Sequence, residues 1–333
     1  MEYRTLGNTD LQLSAITYGA FAIGGNMWGG NEKKDSIAAV QASLDNGVTS
    51  IDTAPFYGFG LSEELIGAAI KGRDRSKVQL LTKFGLVWDG SNQAKGEYFF
   101  DASENGKTIP VYKLASKANI IRELEASLKR LGTDYIDLLQ LHWPDATTPV
   151  EETMEALNTL ISQGKIRAAG VSNYDLALMK AAGKTIRLAS NQLAYSMLNR
   201  SIEKDIVPYA IEHQIGIIAY SPLERGLLTG KYFRDAALKA DDHRNGYFGQ
   251  FSADKVKTFL DSITPLAESK KASLSQLVLR WTTLQPGITI VLAGARNAAQ
   301  AEQNAQAMNL ELKAEELGFI NKELEKVYRE TAV

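Results

Sequence analysis

Eight times along this chain a short, almost uninterrupted apolar run alternates with a longer amphipathic stretch. The runs span 15–20, 50–53, 78–83, 136–142, 166–172, 188–192, 216–220 and 288–293. The stretches between and after them span 33–46, 62–70, 117–131, 150–163, 175–182, 201–214, 273–283 and 298–307. A strand that is apolar on both faces belongs in a parallel sheet covered by helices. Eight such units predict an α/β fold closed into a (β/α)8 TIM barrel. An open doubly wound sheet is the competing arrangement, and it would carry a G-x-G-x-x-G turn after its first strand. The stretch Gly-Gly-Asn-Met-Trp-Gly-Gly at 24–30 lacks that spacing, and no helix opens inside it. Barrels of this class exceed about 250 residues as one unit, so a single barrel domain over 1–333 is expected.

Punctuation agrees with this reading. Gly47 and Gly164 follow helical stretches, where a left-handed residue closes a helix. Residues 3–6 and 11–14 flank Gly7-Asn8-Thr9-Asp10 and predict an N-terminal β-hairpin, placed outside the barrel at its base. Two stretches break the rhythm, 85–110 and 226–250, each mixing glycine, polar and aromatic residues. Both follow a strand and precede a helix, so both are expected as long loops on the C-terminal face of the strands, where barrels carry their chemistry. The tail, 310–333, is rich in Glu, Lys and Leu and predicts a last surface helix.

Several function classes drop out. Lys and Arg total 37 against 39 Asp and Glu, a net charge of −2, and nothing marks the basic face that nucleic-acid binding needs. No run of about 18 apolar residues suggests a membrane span. There are no cysteines, hence no disulfides, thiolate metal sites or cysteine nucleophiles. The three histidines, His142, His213 and His243, lie far apart without an H-E-x-x-H spacing, so no metal centre is expected. Residues 1–7 lack the apolar run of a secretory signal, and with no cysteine a cytoplasmic address is expected.

If the barrel is right, the polar residues at its strand ends should make chemical sense as a set. They are Asp52, Lys83, His142, Ser172-Asn173, Gln192 and Tyr220-Ser221, with Tyr57 in the turn Ala54-Pro55-Phe56-Tyr57-Gly58. A phenol titrates near about 10. A buried ammonium beside it favours the phenolate and lowers that value. Asp52 paired with Lys83 would hold the amine charged, and His142 would orient a carbonyl oxygen, a kit for general acid–base catalysis. Taken singly, each has an ordinary explanation: a turn aspartate, a solvated lysine, a tyrosine packed with Phe56 and Phe59, a structural histidine. Their recurrence at successive strand ends is what singles them out. His213 closes a helix, where the dipole accounts for it, and His243 lies in a polar loop with no evident role.

At this point the chain resembles a family. The segments are 47–58 (Gly-Val-Thr-Ser-Ile-Asp-Thr-Ala-Pro-Phe-Tyr-Gly), 80–83 (Leu-Leu-Thr-Lys) and 138–144 (Leu-Leu-Gln-Leu-His-Trp-Pro). They continue with 164–173 (Gly-Lys-Ile-Arg-Ala-Ala-Gly-Val-Ser-Asn), Asn191-Gln192 and 219–231 (Ala-Tyr-Ser-Pro-Leu-Glu-Arg-Gly-Leu-Leu-Thr-Gly-Lys). In this order and over nearly the whole length, they resemble the aldo-keto reductases. The branch is the bacterial one, related to potassium-channel β-subunit-like reductases.

The resemblance implies a (β/α)8 barrel that binds NADP(H) without a Rossmann fold. It implies reversible hydride transfer between the nicotinamide and an aldehyde, ketone, or sugar or cyclitol alcohol. Asp52, Tyr57, Lys83 and His142 match the family's catalytic tetrad in type, with Tyr57 as general acid in reduction. Ser172, Asn173 and Gln192 would meet the nicotinamide carboxamide, and Tyr220 would stack on its ring. Ser221, Leu223, Arg225 and Gly226 would follow the pyrophosphate. Gly294, Arg296, Gln300, Gln303 and Asn304 match the adenosine end, with Arg296 on the 2′-phosphate. Related sequences often carry an acid where Gln303 stands, and Gly-Thr-Trp where Gly19-Ala20-Phe21 stands. A second reading uses the same barrel as a redox-sensing regulatory subunit with slow turnover.

Trp28, Trp88 and Trp143 fall in or next to loops of the proposed active face and are expected to wall a substrate pocket for a sugar ring or an aromatic aldehyde. Asp89, Glu224 and Arg225 add polar groups there. By analogy with the bacterial branch, the expected partner is a small carbonyl or sugar-like molecule. No exposed apolar stripe selects an oligomeric state.

Overall fold

The chain opens with an antiparallel hairpin, β1 (Tyr3–Thr5) and β2 (Gln12–Ser14), in a computed structural model that describes residues 1–25, 31–91, 95–104, 106–233 and 244–328. There follow β3 (Ile16–Gly19), α1 (Lys33–Asp45), β4 (Ser50–Asp52), α2 (Leu61–Ile70) and β5 (Gln79–Phe84). A short strand β6 (Leu86–Val87) and a long hairpin, β7 (Glu97–Glu104) with β8 (Lys107–Lys113), form a separate antiparallel sheet. Then come α3 (Lys117–Leu131), β9 (Ile136–Leu141), α4 (Val150–Ser162), β10 (Ile166–Ser172), α5 (Leu176–Ala182), β11 (Ser190–Ala194), α6 (Ile206–Glu212) and β12 (Gly216–Tyr220). The last part holds α7 (Arg244–Phe248), α8 (Ala253–Ser269), α9 (Leu274–Thr283), β13 (Ile288–Ala293), α10 (Ala298–Gln306) and α11 (Ala314–Tyr328).

Eight parallel strands, in the order β3-β4-β5-β9-β10-β11-β12-β13, close when β13 pairs with β3. All eight apolar runs supply a barrel strand, and the two-layer burial explains their composition. Residues facing outward pack against the helices in one large cluster. Residues facing inward meet the hairpin: Leu6, Leu11 and Leu13 are buried against Leu81, Leu138, Ile218 and Ile290. The hairpin therefore stoppers the base of the barrel, and Asn8 locks it there by donating to the Leu188 carbonyl at 2.8 Å.

Three departures have local causes. The stretch 201–214 is broken into a short 3-10 turn and α6 because Pro208, lacking an N–H, fits only in a helix's first turn. Helices α7 and α8 are additions to the predicted elements: α7 lies inside the stretch 226–250 expected as a loop, and in α8 Pro265 interrupts the sequence pattern, yet the buried face Val256, Phe259, Leu260 and Ile263 carries it. The stretch 85–110 contains β6, β7 and the start of β8 rather than a loop. The tail helix α11 buries Ile320 and Leu324, and 329–333 lie outside the described residues.

The chain leaves the barrel for that extra sheet under the control of Glu123 on α3. Its buried carboxylate accepts from the Gly85 backbone N–H at 2.7 Å and from Asn119 Nδ2 at 3.1 Å. Burial pushes this carboxyl up to about 7 from an ordinary 4.5, against the pull of the Gly85 and Asn119 hydrogen bonds and Arg122. Between those two values the folded chain holds a proton that the unfolded chain has lost, so this residue's contribution to stability declines as pH rises through the window. Glu123→Gln, which cannot ionise, should gain up to about 3 kcal/mol relative to the parent between pH 4.5 and pH 8. Urea denaturation at the two pH values measures it, and a difference independent of pH refutes it.

Candidate active site

Strand lengths bring the polar residues to one level. Asp52 ends β4, Lys83 is next to last in β5, and His142 follows β9, held in line by its N–H to the Phe84 carbonyl at 2.9 Å. Tyr57 rides on the turn after β4, closed by its own N–H to the Ala54 carbonyl. That turn presses backbone to backbone on the 3-10 turn Ala20–Gly24: a Cβ at Gly58 (φ +66°) would lie 2.0 Å from the Gly24 carbonyl oxygen. Only glycine permits the contact that fixes the ring beside it.

Lys83 is fully buried and donates from Nζ to Asp52 Oδ1 at 2.6 Å and to the Thr53 carbonyl at 2.9 Å. Asp52 Oδ2 accepts from Gln192 Nε2 at 2.8 Å and from Gln140 Nε2 at 3.2 Å. Nζ stands 4.9 Å from the centre of the Tyr57 ring, and His142 meets that ring edge to face at 5.7 Å. The four predicted side chains are thus one cluster.

Their charge states follow from burial and neighbours. Burial opposes the Lys83 ammonium, but the Asp52 carboxylate and nearby Tyr57 more than offset it, so the amine is held above its ordinary value. Burial pushes the Tyr57 phenol up; Lys83 pulls it down and Asp52 adds to the rise, and burial prevails. The lysine does not carry the phenol below its usual range, as the sequence suggested, because desolvation of the phenolate is the larger effect. Burial, with Lys83 second, holds His142 well below the ordinary imidazole range, so it is neutral at pH 7.

Asp52, Tyr57 and His142 line a cavity of about 740 Å³, together with all thirteen residues predicted for the dinucleotide, from Ser172 to Asn304. Tyr220 donates to Asn173 Oδ1 at 2.9 Å, and Asn173 Nδ2 reaches the His142 carbonyl at 3.1 Å, so the two halves of the lining are tied. Gln300 Oε1 accepts from the Arg296 N–H at 2.9 Å and Asn304 Nδ2 donates to the Gly294 carbonyl at 3.0 Å, shaping the turn after β13. Arg225, Lys231, Arg244 and Arg296 line the cavity, whereas Asp52, already paired, is its one acidic residue among those described. That balance suits an anionic ligand.

The tryptophans divide. Trp143 lines the cavity, while Trp88 packs edge-on behind Phe56 and tilted against Phe59, outside the lining. Trp28 and His243 lie outside the described residues. The collar around Tyr57 is made by Phe21, which the sequence placed near the ring, with Phe56, Leu86, Phe99 and Phe100, which it did not assign to the cavity. Asp89 is turned to Arg122 at 2.7 Å, and Glu224 to Ser196 and Tyr247, so neither offers its charge to the cavity. The missed signal was Asn-Gly at 105–106 between two strand-like runs, a strong hairpin mark. A second cavity of about 590 Å³, against Asn8, Lys184 and Arg187, lies by the plugged end and away from this cluster.

Residues 15–325 match the model of the aldo/keto reductase family. The chain is 40% identical to aldo-keto reductase YhdN of Bacillus subtilis (98% of this chain, 94% of that one) and 36% identical to the NADH-specific methylglyoxal reductase of Escherichia coli (92% and 93%). Among solved structures, the glycerol dehydrogenase AKR11B4 from Gluconobacter oxydans aligns with TM-score 0.86 at 36% identity (98% and 95%). An aldo-keto reductase from Klebsiella pneumoniae in complex with NADPH aligns with TM-score 0.71 at 30% identity (97% and 95%).

The buried pair also makes a stability prediction. Asp52→Asn strands the Lys83 ammonium without its counter-charge and should cost about 3–5 kcal/mol. Adding Lys83→Met should recover part of that loss. Urea denaturation of the single and double variants decides it: a double variant less stable than Asp52→Asn contradicts the account.

Proposed function

Because this chain belongs to the aldo/keto reductase family, we propose that it is an NADP(H)-dependent oxidoreductase. It interconverts carbonyl compounds and alcohols, with Tyr57 as the proton donor in reduction and the acceptor in oxidation. The observation that carries the reading is a phenol set against a buried Lys83–Asp52 pair and a neutral imidazole, at a cavity lined by Arg225, Lys231, Arg244 and Arg296.

The donor set fits the dinucleotide. Amide side chains of Asn173 and Gln192 with Ser172 would hold the carboxamide, Tyr220 would cover the ring, and Ser221, Leu223, Arg225 and Gly226 would follow the pyrophosphate. Gly294, Arg296, Gln300, Gln303 and Asn304 would hold the adenosine end, where the N-terminus of α10 adds free amides. When bound, the dinucleotide supplies or accepts the hydride.

The chain's own residues govern the proton and the oxygen. A phenol raised by burial still carries its proton at neutral pH, which reduction requires. Loss of that proton is eased by the ammonium held beside it. His142, being neutral, has one ring N–H to give to the carbonyl oxygen. Each donor aimed at a developing alkoxide is worth about a few kcal/mol. The collar around Tyr57 carries no charge, so we read the substrate as an uncharged carbonyl compound with an aromatic or apolar substituent, in preference to a sugar.

Three measurements test the reading. Consumption of NADPH, followed at its absorbance band across aromatic, aliphatic and sugar carbonyls, should be fastest with the aromatic ones; no turnover with any carbonyl, or alcohol in reverse, overturns it. Tyr57→Phe should lower kcat by roughly 10²–10⁴-fold, with NADPH affinity changed less than about twofold, since only the acid is removed. Wild-type turnover in that variant removes Tyr57 from the role. Arg296→Ala should weaken NADPH binding about tenfold and NADH binding little, by loss of a charged contact to the 2′-phosphate; equal losses refute the assignment.

A further inference from the structure

We propose that Gln140 is a positioning residue that fixes which end of Gln192 faces the dinucleotide and at the same time steadies Asp52. The inference rests on the reading of the cavity as a nicotinamide site.

Gln140 is completely buried in the middle of a run of leucines on β9. It stands level with Lys83 on one side and Gly170 on the other. Its Nε2 donates to Asp52 Oδ2 at 3.2 Å, and its Oε1 accepts from Gln192 Nε2 at 3.2 Å. Gln192 sits on β11, one strand beyond β10, so this bond crosses β10. It crosses at Gly170, where a Cβ would lie 3.3 Å from Gln140 Cγ and 2.3 Å from Ser190 Oγ. The missing side chain at 170 is the gap through which the two amides meet.

Neither amide can be turned over. A flipped Gln140 would set its oxygen against the Asp52 carboxylate and its NH₂ against that of Gln192, two repulsions in place of two bonds. Gln192 Nε2 is then fully committed: one hydrogen goes to Asp52 and the other to Gln140. What Gln192 has left for the cavity it lines is an acceptor, its Oε1. An acceptor there selects a ligand group that donates, such as the NH₂ of a carboxamide. Gln140 therefore couples two tasks through one amide: it sets the polarity of the ring-binding residue, and it holds the oxygen of Asp52 that Lys83 does not use.

The probes are NADP⁺ and its 3-acetylpyridine analogue, in which a methyl group replaces the carboxamide NH₂. Binding is read by protein fluorescence and calorimetry, independently of turnover. The wild-type chain should bind NADP⁺ about tenfold more tightly than the analogue, the worth of one well-set hydrogen bond. In Gln140→Leu and Gln140→Met, NADP⁺ should bind about tenfold more weakly while analogue binding changes less than about twofold. With NADPH and a carbonyl substrate, kcat should fall about tenfold at a nearly constant substrate KM, because the effect acts through Asp52 and the ring rather than the collar. Equal wild-type affinity for the two probes overturns the proposal, as does a folded variant that keeps the wild-type preference and kcat. A wild-type chain that binds neither probe overturns the functional reading, and this inference with it.

Discussion

An ammonium sealed inside a protein dictates what surrounds it. Lys83 has no access to water, so its charge must be met by Asp52 and the Thr53 carbonyl, and Asp52 must in turn be met by Gln140 and Gln192. These groups come from β4, β5, β9 and β11, and only a sheet closed on itself brings four such strands to one point. Breaking such a pair costs more than it contributes to stability, so the arrangement is understood as preparation for chemistry rather than as a source of folding energy. The ion pairs on the outside of the barrel, Glu63 on α2 with Arg130 on α3 and Asp137 on β9 with Arg75, tie helix to helix and strand to turn, and their arginines keep part of their charge near water.

Two opposing effects meet on Tyr57. Desolvation keeps its proton on, and the nearby ammonium makes that proton easier to give up. The residue is thereby a proton store at neutral pH whose release becomes favourable when negative charge on a substrate oxygen is available to take it. His142 complements it: the same burial that protects the phenol strips the imidazole of its second proton, so the two rings present one donor each.

The barrel was legible because burial on both faces leaves a run of apolar residues that no surface strand shows. The four clustered side chains were legible because strand ends are where a polar residue needs a reason. Gln140 was not: one amide inside Leu138-Leu139-Gln140-Leu141 reads as a break in a core strand, and only the closure of the sheet reveals its partners. Trp88 and Trp143 follow equally suggestive loops, and nothing in the sequence tells which ring turns inward. The hairpin of β7 and β8 was overlooked because its polar residues resemble those of a loop, although Asn-Gly between runs containing Phe99, Phe100 and Val111 marked it. In α8, Pro265 hid a helix that its buried face sustains.

That hairpin shares no ladder with the barrel. It nonetheless supplies Phe99 and Phe100 to the cavity. The scaffold and the surface that meets the substrate are therefore separate pieces of masonry. The facing can be recut or replaced without disturbing a single bond of the supporting ring, and a lineage built on this plan can change what it recognises while keeping the engine it recognises it for.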